Sequence, residues 1–383
     1  MLAPKTDTAT MIDESVGRFC ERHVDPFYED WERAGNVPRD LWRLLGEAGF
    51  LNADVPEQAF GHGGDYELFA AIIEAFSRRG YATIASPMIG VHSGIVAHYL
   101  VNNGTAEQKE RYLPGMASGE IVGAIGMSEP AAGSDLQGIK TRAVKDGDDW
   151  LISGQKTFIS NGQHCDFVIV VARSNPDAPG SRGTSLFIVD TDAAGFARGR
   201  NLDKIGLHSA DTSELFFDDV RVPSSAMLGG QDQGFIVLMS ELPRERLLLA
   251  NIAIAAVEGM LQDTHRYITE RQAFGAPLSK LQTIRHTMAQ MLTEAKVTRA
   301  FMDHCMAALA DGALDTATAS MAKMNATELQ FSIADRCLQL HGGYGYMAEY
   351  PISRAFVDAR SQRIYGGTSE IMKEIIAKSW LGG

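Results

Sequence analysis

Apolar residues recur every three or four positions in the first part of the chain, as they do on one face of a helix. The stretches DLWRLLGEAGF (40–50) and YELFAAIIEAFSRRG (66–80) both run into glycine, the usual stop signal of a helix. Residues Thr105–Gln108 have the spacing of a capping box before another apolar run. We therefore predict an N-terminal α-helical domain over residues 1–121.

The pattern changes after residue 121, where short β-branched or alternating runs follow one another between turn signals such as Asp146-Gly147. These runs include VGAIGM (122–127), DWLISG (149–154), FVIVVAR (167–173) and ELFFDDVRV (214–222). The segment 122–229 is predicted to form a middle β-domain of barrel-like character.

From Gly234 the helical pattern returns in long segments. Apolar residues at helical spacing mark one of them: Leu281, Ile284, Met288, Met291, Leu292 and Ala295. Breaks at 275–277, 311–312 and 342–343 divide the region into roughly four helices, which suits an antiparallel bundle. The predicted fold is α+β, ending in a C-terminal four-helix bundle over residues 230–383.

The composition and charge of the chain exclude several classes of binding partner. The net charge of the 383 residues is −13 and no lysine–arginine cluster is present, so nucleic acid is not an expected partner. No run of 18 apolar residues, secretory signal or transit peptide is recognisable, which predicts a soluble cytoplasmic protein without membrane insertion. The four cysteines are far apart and no histidine pair has metal spacing, so neither a metal site nor disulfides are expected.

The segment Gly343-x-Gly345-x-x-Ala348 superficially matches a dinucleotide-binding fingerprint. That fingerprint needs a strand before it and a helix after it. Here FSIADRCLQL, an amphipathic helical pattern, precedes it. We therefore reject a Rossmann interpretation.

Two other segments could form the wall of an aromatic cofactor site. Residues 124–136, AIGMSEPAAGSDL, are a strand that runs into small residues and hydroxyls, where backbone can approach a flat ligand. Residues 154–162, GQKTFISNG, again bring an aromatic, a hydroxyl and an amide together. Taken alone, the first segment is better explained as an ordinary strand followed by a tight loop, and only the two segments together indicate a cofactor wall.

With these two motifs, the segments RQAFG (271–275), QLHGG (339–343) and IYGGTSE (364–370) resemble the flavin-binding signatures of the acyl-CoA dehydrogenase family. The resemblance covers about residues 88–380. It implies FAD as the cofactor, an acyl-CoA substrate, electron-transfer flavoprotein as the electron acceptor and a homotetramer. The order of helices, β-domain and bundle is also that of the family.

The resemblance also implies roles for individual residues. On the flavin ring, it places Met127 and Ser128 on one side and Phe158, Ile159 and Ser160 on the other. Ser134 is implied to reach the CoA part of the substrate and the cofactor site. Residues implied to clasp the FAD of a neighbouring subunit are Arg271, Phe274, Gln282, Gln339, Leu340, His341, Gly342 and Gly343, while Thr368 and Glu370 contact the cofactor from the bundle.

One position departs from the commoner family pattern. Most members carry the catalytic glutamate after the tyrosine of the C-terminal motif, where this chain has Gly366. The long-chain and isovaleryl subgroups instead carry the base before an arginine on a bundle helix, which corresponds here to Glu245 before Arg246. The sequence around both positions resembles the long-chain subgroup. By position alone, Glu245 is better explained as a helix N-terminal acid, and Arg246 could equally be a surface residue. Because Gly366 vacates the usual site, Glu245 becomes the preferred base.

The reaction implied is α,β-dehydrogenation of a medium- to long-chain acyl-CoA to a trans-2-enoyl-CoA. Glu245 can take the α-proton only if an apolar site raises its pKa and fixed donors stabilise the thioester oxygen. The resemblance gives the backbone N–H of Gly366 as one such donor, with Arg246 ordering the site. Two alternatives stay open: an acyl-CoA oxidase or flavin monooxygenase of the same fold, and a flavin-binding scaffold without catalysis.

Overall fold

The computed structural model describes residues 6–178 and 180–382. The N-terminal part is helical, and its capping box is formed, since Thr105 and Gln108 exchange side-chain and backbone hydrogen bonds. Its helices are α1 (Asp7–His23), α2 (Tyr28–Ala34), α3 (Asp40–Glu47), α4 (Tyr66–Arg78), α5 (Ala97–Asn103) and α6 (Ala106–Ser118). Between α4 and α5 lies a π-helical segment, Ile84–Val96, which contains Pro87.

The middle part is one eight-stranded sheet that is mainly antiparallel. Its strands are β1 (Gly123–Gly126), β2 (Arg142–Asp146), β3 (Asp149–Ser160), β4 (Phe167–Arg173), β5 (Thr184–Asp190), β6 (Phe196–Asn201), β7 (Thr212–Pro223) and β8 (Met227–Leu228). They follow the order β6-β7-β3-β2-β4-β5-β8, and β1 pairs in parallel with β4. The register of β3 against β7 shifts between Lys156 and Ile159, so that β3 bulges just before its end.

The last part is helical again. It contains α7 (Gly234–Glu270), the hairpin of β9 (Gln272–Ala273) and β10 (Ala276–Pro277), α8 (Gln282–Ala310), α9 (Thr316–His341), α10 (Pro351–Gln362) and α11 (Ser369–Leu381). The α9 helix runs directly into the 3₁₀ turn Gly342–Tyr346, so helix precedes the glycine motif as predicted. The final helical stretch is divided in two because Gly366 and Gly367 both have positive φ, which ends α-helical geometry between α10 and α11.

The predicted three-part fold is confirmed. The predicted boundary at 121/122 falls between α6 and β1, and the one at 229/230 falls between β8 and α7. The long α7 helix packs against α9, α8, α4 and the π-helical segment, so it joins the bundle to the N-terminal domain. The four cysteines are free and buried.

Two helical segments of the described chain, Ile84–Asn103 and Gly234–Glu270, are long and apolar enough for a membrane span by length and composition alone. In each, however, most of the apolar window is buried inside the fold, 78% and 83% respectively. Such burial is typical of core helices. Among the described residues, no group of three or more metal-binding side chains comes together.

Candidate active site

Glu245 is buried in the middle of the structure, on α7. It lies eleven residues after Gly234, the first residue of that helix. A first-turn acid held by the helix dipole is therefore not its role, because that effect fades within one turn. Its carboxylate occupies an interior position instead.

The hydroxyl of Tyr99, on α5, donates a hydrogen bond to Oε1 of Glu245 at 3.0 Å. Tyr99 itself is fully buried. Burial raises the pKa of Glu245 to about 7, while the hydrogen bond from Tyr99 opposes the rise and the nearby Glu241 carboxylate adds to it. A carboxylate with a pKa near neutral is suited to accept a proton from a weak carbon acid.

Arg246 is not a surface residue, because only 4% of it is exposed. Its Nη1 donates to Oγ of Ser320 on α9 at 3.2 Å. Its Nε is buried without a hydrogen-bond partner among the described residues. An unpaired buried donor costs free energy unless a ligand satisfies it, so Arg246 has spare hydrogen-bonding capacity beside the base.

Gly366 lies against the same face of α7 as Glu245. A Cβ added to Gly366 would stand 2.2 Å from Cδ1 of Leu249. Leu249 follows Glu245 by four residues, and residues four apart share one face of a helix. The positive φ of Gly366, 65°, also favours glycine. The structure thus brings the predicted base and the vacated position to one place.

The two motifs predicted to form a cofactor wall meet at the ends of β1 and β3. The backbone N–H of Thr157 donates to the carbonyl of Ser128 at 3.0 Å, and Nζ of Lys156 donates to the carbonyl of Met127 at 3.1 Å. Phe158 stands in the β3 bulge with φ 60° and is 69% exposed. The bulge aims this ring out of the sheet.

The other two residues of that segment differ in how they can meet a ligand. Ile159 packs into the core of the domain, which leaves only its backbone for a ligand, whereas Ser160 is partly exposed.

Glu129 fixes the loop that joins β1 to β2. Its carboxylate accepts hydrogen bonds from the N–H of Lys140 at 2.7 Å, the N–H of Thr141 at 3.0 Å and Nζ of Lys156 at 2.8 Å. Burial opposes its ionisation, but the Lys156 ammonium and the amide donors prevail and lower its pKa. Ser134 is exposed on this loop between β1 and β2, where a substrate that arrives from solvent can reach it.

A second set of predicted residues lines a groove of about 660 Å³ at the far end of α7. Its walls include Arg271 and the whole stretch Gln339–Gly343. The guanidinium of Arg271 lies over the ring of Tyr344, 5.3 Å from its centroid, and the ring of His341 stacks on Tyr267 at 4.2 Å.

Next to this groove, the β9–β10 hairpin holds Phe274 with φ 54° and 94% exposure, and Gln282 follows as the first, exposed residue of α8. Both side chains face away from the core and are free to meet a ligand or another subunit.

Thr368 and Glu370 stand at the start of α11, just after the glycine turn. The Oγ1 atom of Thr368 caps the helix by accepting from the N–H of Ile371 at 3.3 Å, and Glu370 is exposed in the first turn. Glu370 lacks the burial that raises the pKa of Glu245. It is therefore the poorer candidate for a base.

Three family models together match nearly the whole chain. The acyl-CoA dehydrogenase N-terminal domain matches residues 6–120, the middle domain residues 124–220 and the C-terminal domain residues 232–381. The chain belongs to the acyl-CoA dehydrogenase family. It is accordingly an FAD-dependent enzyme that oxidises acyl-CoA, and the comparisons do not favour an oxidase or an inactive scaffold.

Individual relatives agree with this family assignment. The chain is 48% identical over 366 residues to the mitochondrial long-chain specific acyl-CoA dehydrogenase of Rattus norvegicus, covering 95% of this chain and 84% of the relative. It is 34% identical over 372 residues to the mitochondrial isovaleryl-CoA dehydrogenase of Pongo abelii, covering 96% and 88%.

Solved structures agree as well. An acyl-CoA dehydrogenase from Geobacillus kaustophilus superposes with a TM-score of 0.95 at 42% identity, over 99% of this chain and 100% of the other. A glutaryl-CoA dehydrogenase from Mycobacterium smegmatis in complex with FADH2 superposes with a TM-score of 0.92 at 28% identity, over 99% and 96%.

The residues of this acyl-CoA dehydrogenase fit FAD at two places. Phe158 keeps a strained backbone conformation and an exposed ring, a combination that is typical of a ligand-contact position. The groove beside Arg271 offers a planar guanidinium, which matches a pyrophosphate. The individual ligand contacts stay predictions.

Several residues at the site were not singled out from the sequence. They are Tyr99, which contacts Glu245, the Glu129–Lys156 ion pair, and Lys323, whose Nζ donates to the carbonyl of Gly367 at 2.7 Å. Lys323 did leave a signal, because it occupies a helical face otherwise made of small residues such as Ala319 and Ala326. Tyr99 left none beyond its apolar surroundings.

Proposed function

We propose that this enzyme converts straight, medium- to long-chain acyl-CoA to trans-2-enoyl-CoA with Glu245 as the base. The observation that supports this most directly is the buried carboxylate of Glu245, with a pKa raised to about 7, on the same face of α7 that packs against Gly366. Gly366 has no side chain and so provides no carboxylate at the position where most family members carry the base. The base must therefore come from another element, and α7 supplies it.

Four groups of the chain have separate roles in removing the α-proton. Glu245 takes the α-proton, and Tyr99 orients its carboxylate through the 3.0 Å hydrogen bond. The backbone N–H of Gly366 donates to the thioester carbonyl oxygen, where negative charge develops. The buried guanidinium of Arg246 adds positive charge beside the base.

The Met127–Ser128 and Phe158–Ser160 segments would hold FAD, which would supply the acceptor for the hydride that leaves Cβ. The acyl-CoA thus loses one proton and one hydride, which balances the formation of the double bond. We propose electron-transfer flavoprotein as the partner that reoxidises the enzyme, from the resemblance to the family. The cytoplasm stays the predicted location.

The preference for longer straight chains is supported by the relatives. Identity is 48% to the long-chain enzyme and 34% to the isovaleryl enzyme. Each methylene-sized difference in an apolar pocket changes specificity by only about 1–3 kcal/mol. The preference should therefore be graded across a series of acyl-CoA thioesters.

A homo-oligomer, with a tetramer as the family expectation, is supported by the length of α7. Arg271 follows Glu245 by 26 residues, and at 1.5 Å per residue this places it roughly 39 Å away along the helix. One FAD molecule cannot bridge that distance between the base and the groove of the same chain. We therefore propose that the groove beside Arg271 serves the cofactor of a neighbouring subunit.

The test of the base is Glu245→Gln, which keeps the size of the side chain but removes the proton acceptor. Flavin reduction by a long-chain acyl-CoA, followed anaerobically by stopped-flow absorbance, should fall by roughly 10²–10⁴-fold. Binding of the acyl-CoA should change little.

The matched control is Glu241→Gln. Glu241 is also a buried acid on α7, one turn earlier, where it accepts hydrogen bonds from Asn102 and Asn103. This variant should retain most of the rate of flavin reduction. Near-normal reduction in Glu245→Gln, or an equal loss in both variants, would remove Glu245 from the role of base.

A further inference from the structure

Lys323 is a buried cation whose contact lies on the turn between α10 and α11. It is 0% exposed on α9, and its ammonium donates to the carbonyl of Gly367 at 2.7 Å. Burial, with the positive charge of Arg246 as a second cause, lowers its pKa to about 8. A buried ammonium destabilises the fold unless it is hydrogen-bonded. The contact with Gly367 offsets that cost, and the presence of a buried lysine at this turn calls for an explanation.

The turn that Lys323 contacts is closed by the backbone hydrogen bond from the N–H of Ser369 to the carbonyl of Arg363 at 3.1 Å, which spans its two glycines. Gly366 and Gly367 have φ values of 65° and 94°, and two successive glycines have more conformational freedom than any other pair. Neither residue has a side chain to pack. The hydrogen bond from Lys323 fixes the peptide plane between Gly367 and Thr368. The N–H of Gly366 lies two peptide units earlier in the same turn, so its orientation is linked to this anchor through the two glycines.

Charged groups surround Lys323 from three helices. Arg246 approaches from α7, Glu328 lies on α9 itself and Glu370 lies on α11. Glu328 is already engaged, since it accepts from Oγ of Ser369 at 2.6 Å and pairs with Arg363 at 2.8 Å. The carbonyl of Gly367 remains the partner that the structure gives to the Lys323 ammonium.

We propose that Lys323 is a positioning residue, which fixes the Gly366 amide as the donor to the thioester oxygen by holding the carbonyl of Gly367. The inference rests on the proposed function. Lys323 itself touches neither the α-proton nor its acceptor. Its effect reaches the reaction through the geometry of the turn, where a misplacement of about 1 Å can cost about 10²-fold in rate.

The test is Lys323→Met, which keeps the apolar stem and removes the ammonium. The probe is a 3-thia-acyl-CoA, which has acidic α-protons but no β-hydrogen to transfer. Exchange of its α-protons with D2O, followed by NMR, measures proton removal without hydride transfer. Exchange should fall by roughly 10–100-fold, while the dissociation constant of the thioester changes by less than about threefold.

The control is Arg336→Met, which removes a cation from the same helix. Arg336 pairs with Glu294 of α8, and it lies 13 residues after Lys323, roughly 20 Å further along α9. Its α-proton exchange should equal that of the wild type. FAD content and melting temperature are measured for each variant, so that a folding defect is separated from a positioning defect.

Lys323→Arg provides a second variant if Lys323→Met does not fold, because it keeps a charged donor on α9. The rate of α-proton exchange in Lys323→Arg should lie between the rate of the wild type and the reduced rate expected for Lys323→Met. Wild-type exchange in Lys323→Met, or equal losses of exchange and thioester binding in whichever variant folds, would overturn the inference. Absence of exchange in the wild type, with no flavin bleaching by acyl-CoA, would instead overturn the proposed function.

Discussion

Replacing Tyr99 by phenylalanine should move the pH dependence of flavin reduction to higher pH. The change removes one oxygen atom and leaves the buried ring in place. Its hydroxyl is the donor to Oε1 of Glu245 at 3.0 Å, and this hydrogen bond lowers the pKa of the carboxyl against the effect of burial. Without the donor, the ionised form of Glu245 is less stable.

The size of the effect follows from the energy of that contact. A hydrogen bond to a charged group contributes about 1.5–3 kcal/mol, and about 1.4 kcal/mol corresponds to one pH unit. The midpoint should therefore rise by about 1–2 pH units. Since the base works only when ionised, a rise of about one unit from a pKa near 7 cuts the active fraction at neutral pH from about one half to about one tenth.

The assay is stopped-flow flavin reduction at saturating acyl-CoA over a range from acidic to alkaline pH. At alkaline pH the Tyr99→Phe rate should return close to that of the wild type, because Glu245 is then ionised in both. The control is Tyr112→Phe, which removes another buried phenol that donates to a carboxylate, Asp190, at 2.8 Å in a different part of the fold. An unchanged or lowered midpoint in Tyr99→Phe, or the same shift in Tyr112→Phe, would refute the reasoning.

Further variants test other parts of the site. Arg271→Ala should lower both the FAD content and the oligomer size seen by gel filtration; full retention of both would exclude a role in the groove. Glu245→Gly combined with Gly366→Glu should stay nearly inactive in acyl-CoA turnover. The new side chain would collide with Leu249, and the backbone of the new glutamate would have to keep a positive φ, which disfavours any residue except glycine. Adding Leu249→Ala should restore part of that activity, and equal turnover with and without this third change would show that the collision is irrelevant. Glu129→Gln should lower the free energy of unfolding by about 3–5 kcal/mol in denaturant melts, since it leaves a buried ammonium without its charge partner; a loss below about 1 kcal/mol would contradict this.

Local patterns in the sequence determined the order of the three domains and the place of the motifs. Hydrophobic periodicity and glycine stops are written in contiguous residues, so the capping box at Thr105 and the helix before Gly342 followed directly. The replacement of a glutamate by Gly366, together with the resemblance, directed attention to Glu245. None of this required knowledge of distant contacts.

Only the tertiary structure decided how these residues act together. Tyr99 and Glu245 are 146 positions apart, and Lys323 and Gly367 are 44 apart. Such contacts are selected by the packing of whole helices and have no local period. Burial is likewise a property of the assembled fold, and it is the main reason that Glu245 changes from an ordinary acid on a helix into a carboxyl with a pKa near 7, because desolvation penalises its charged form.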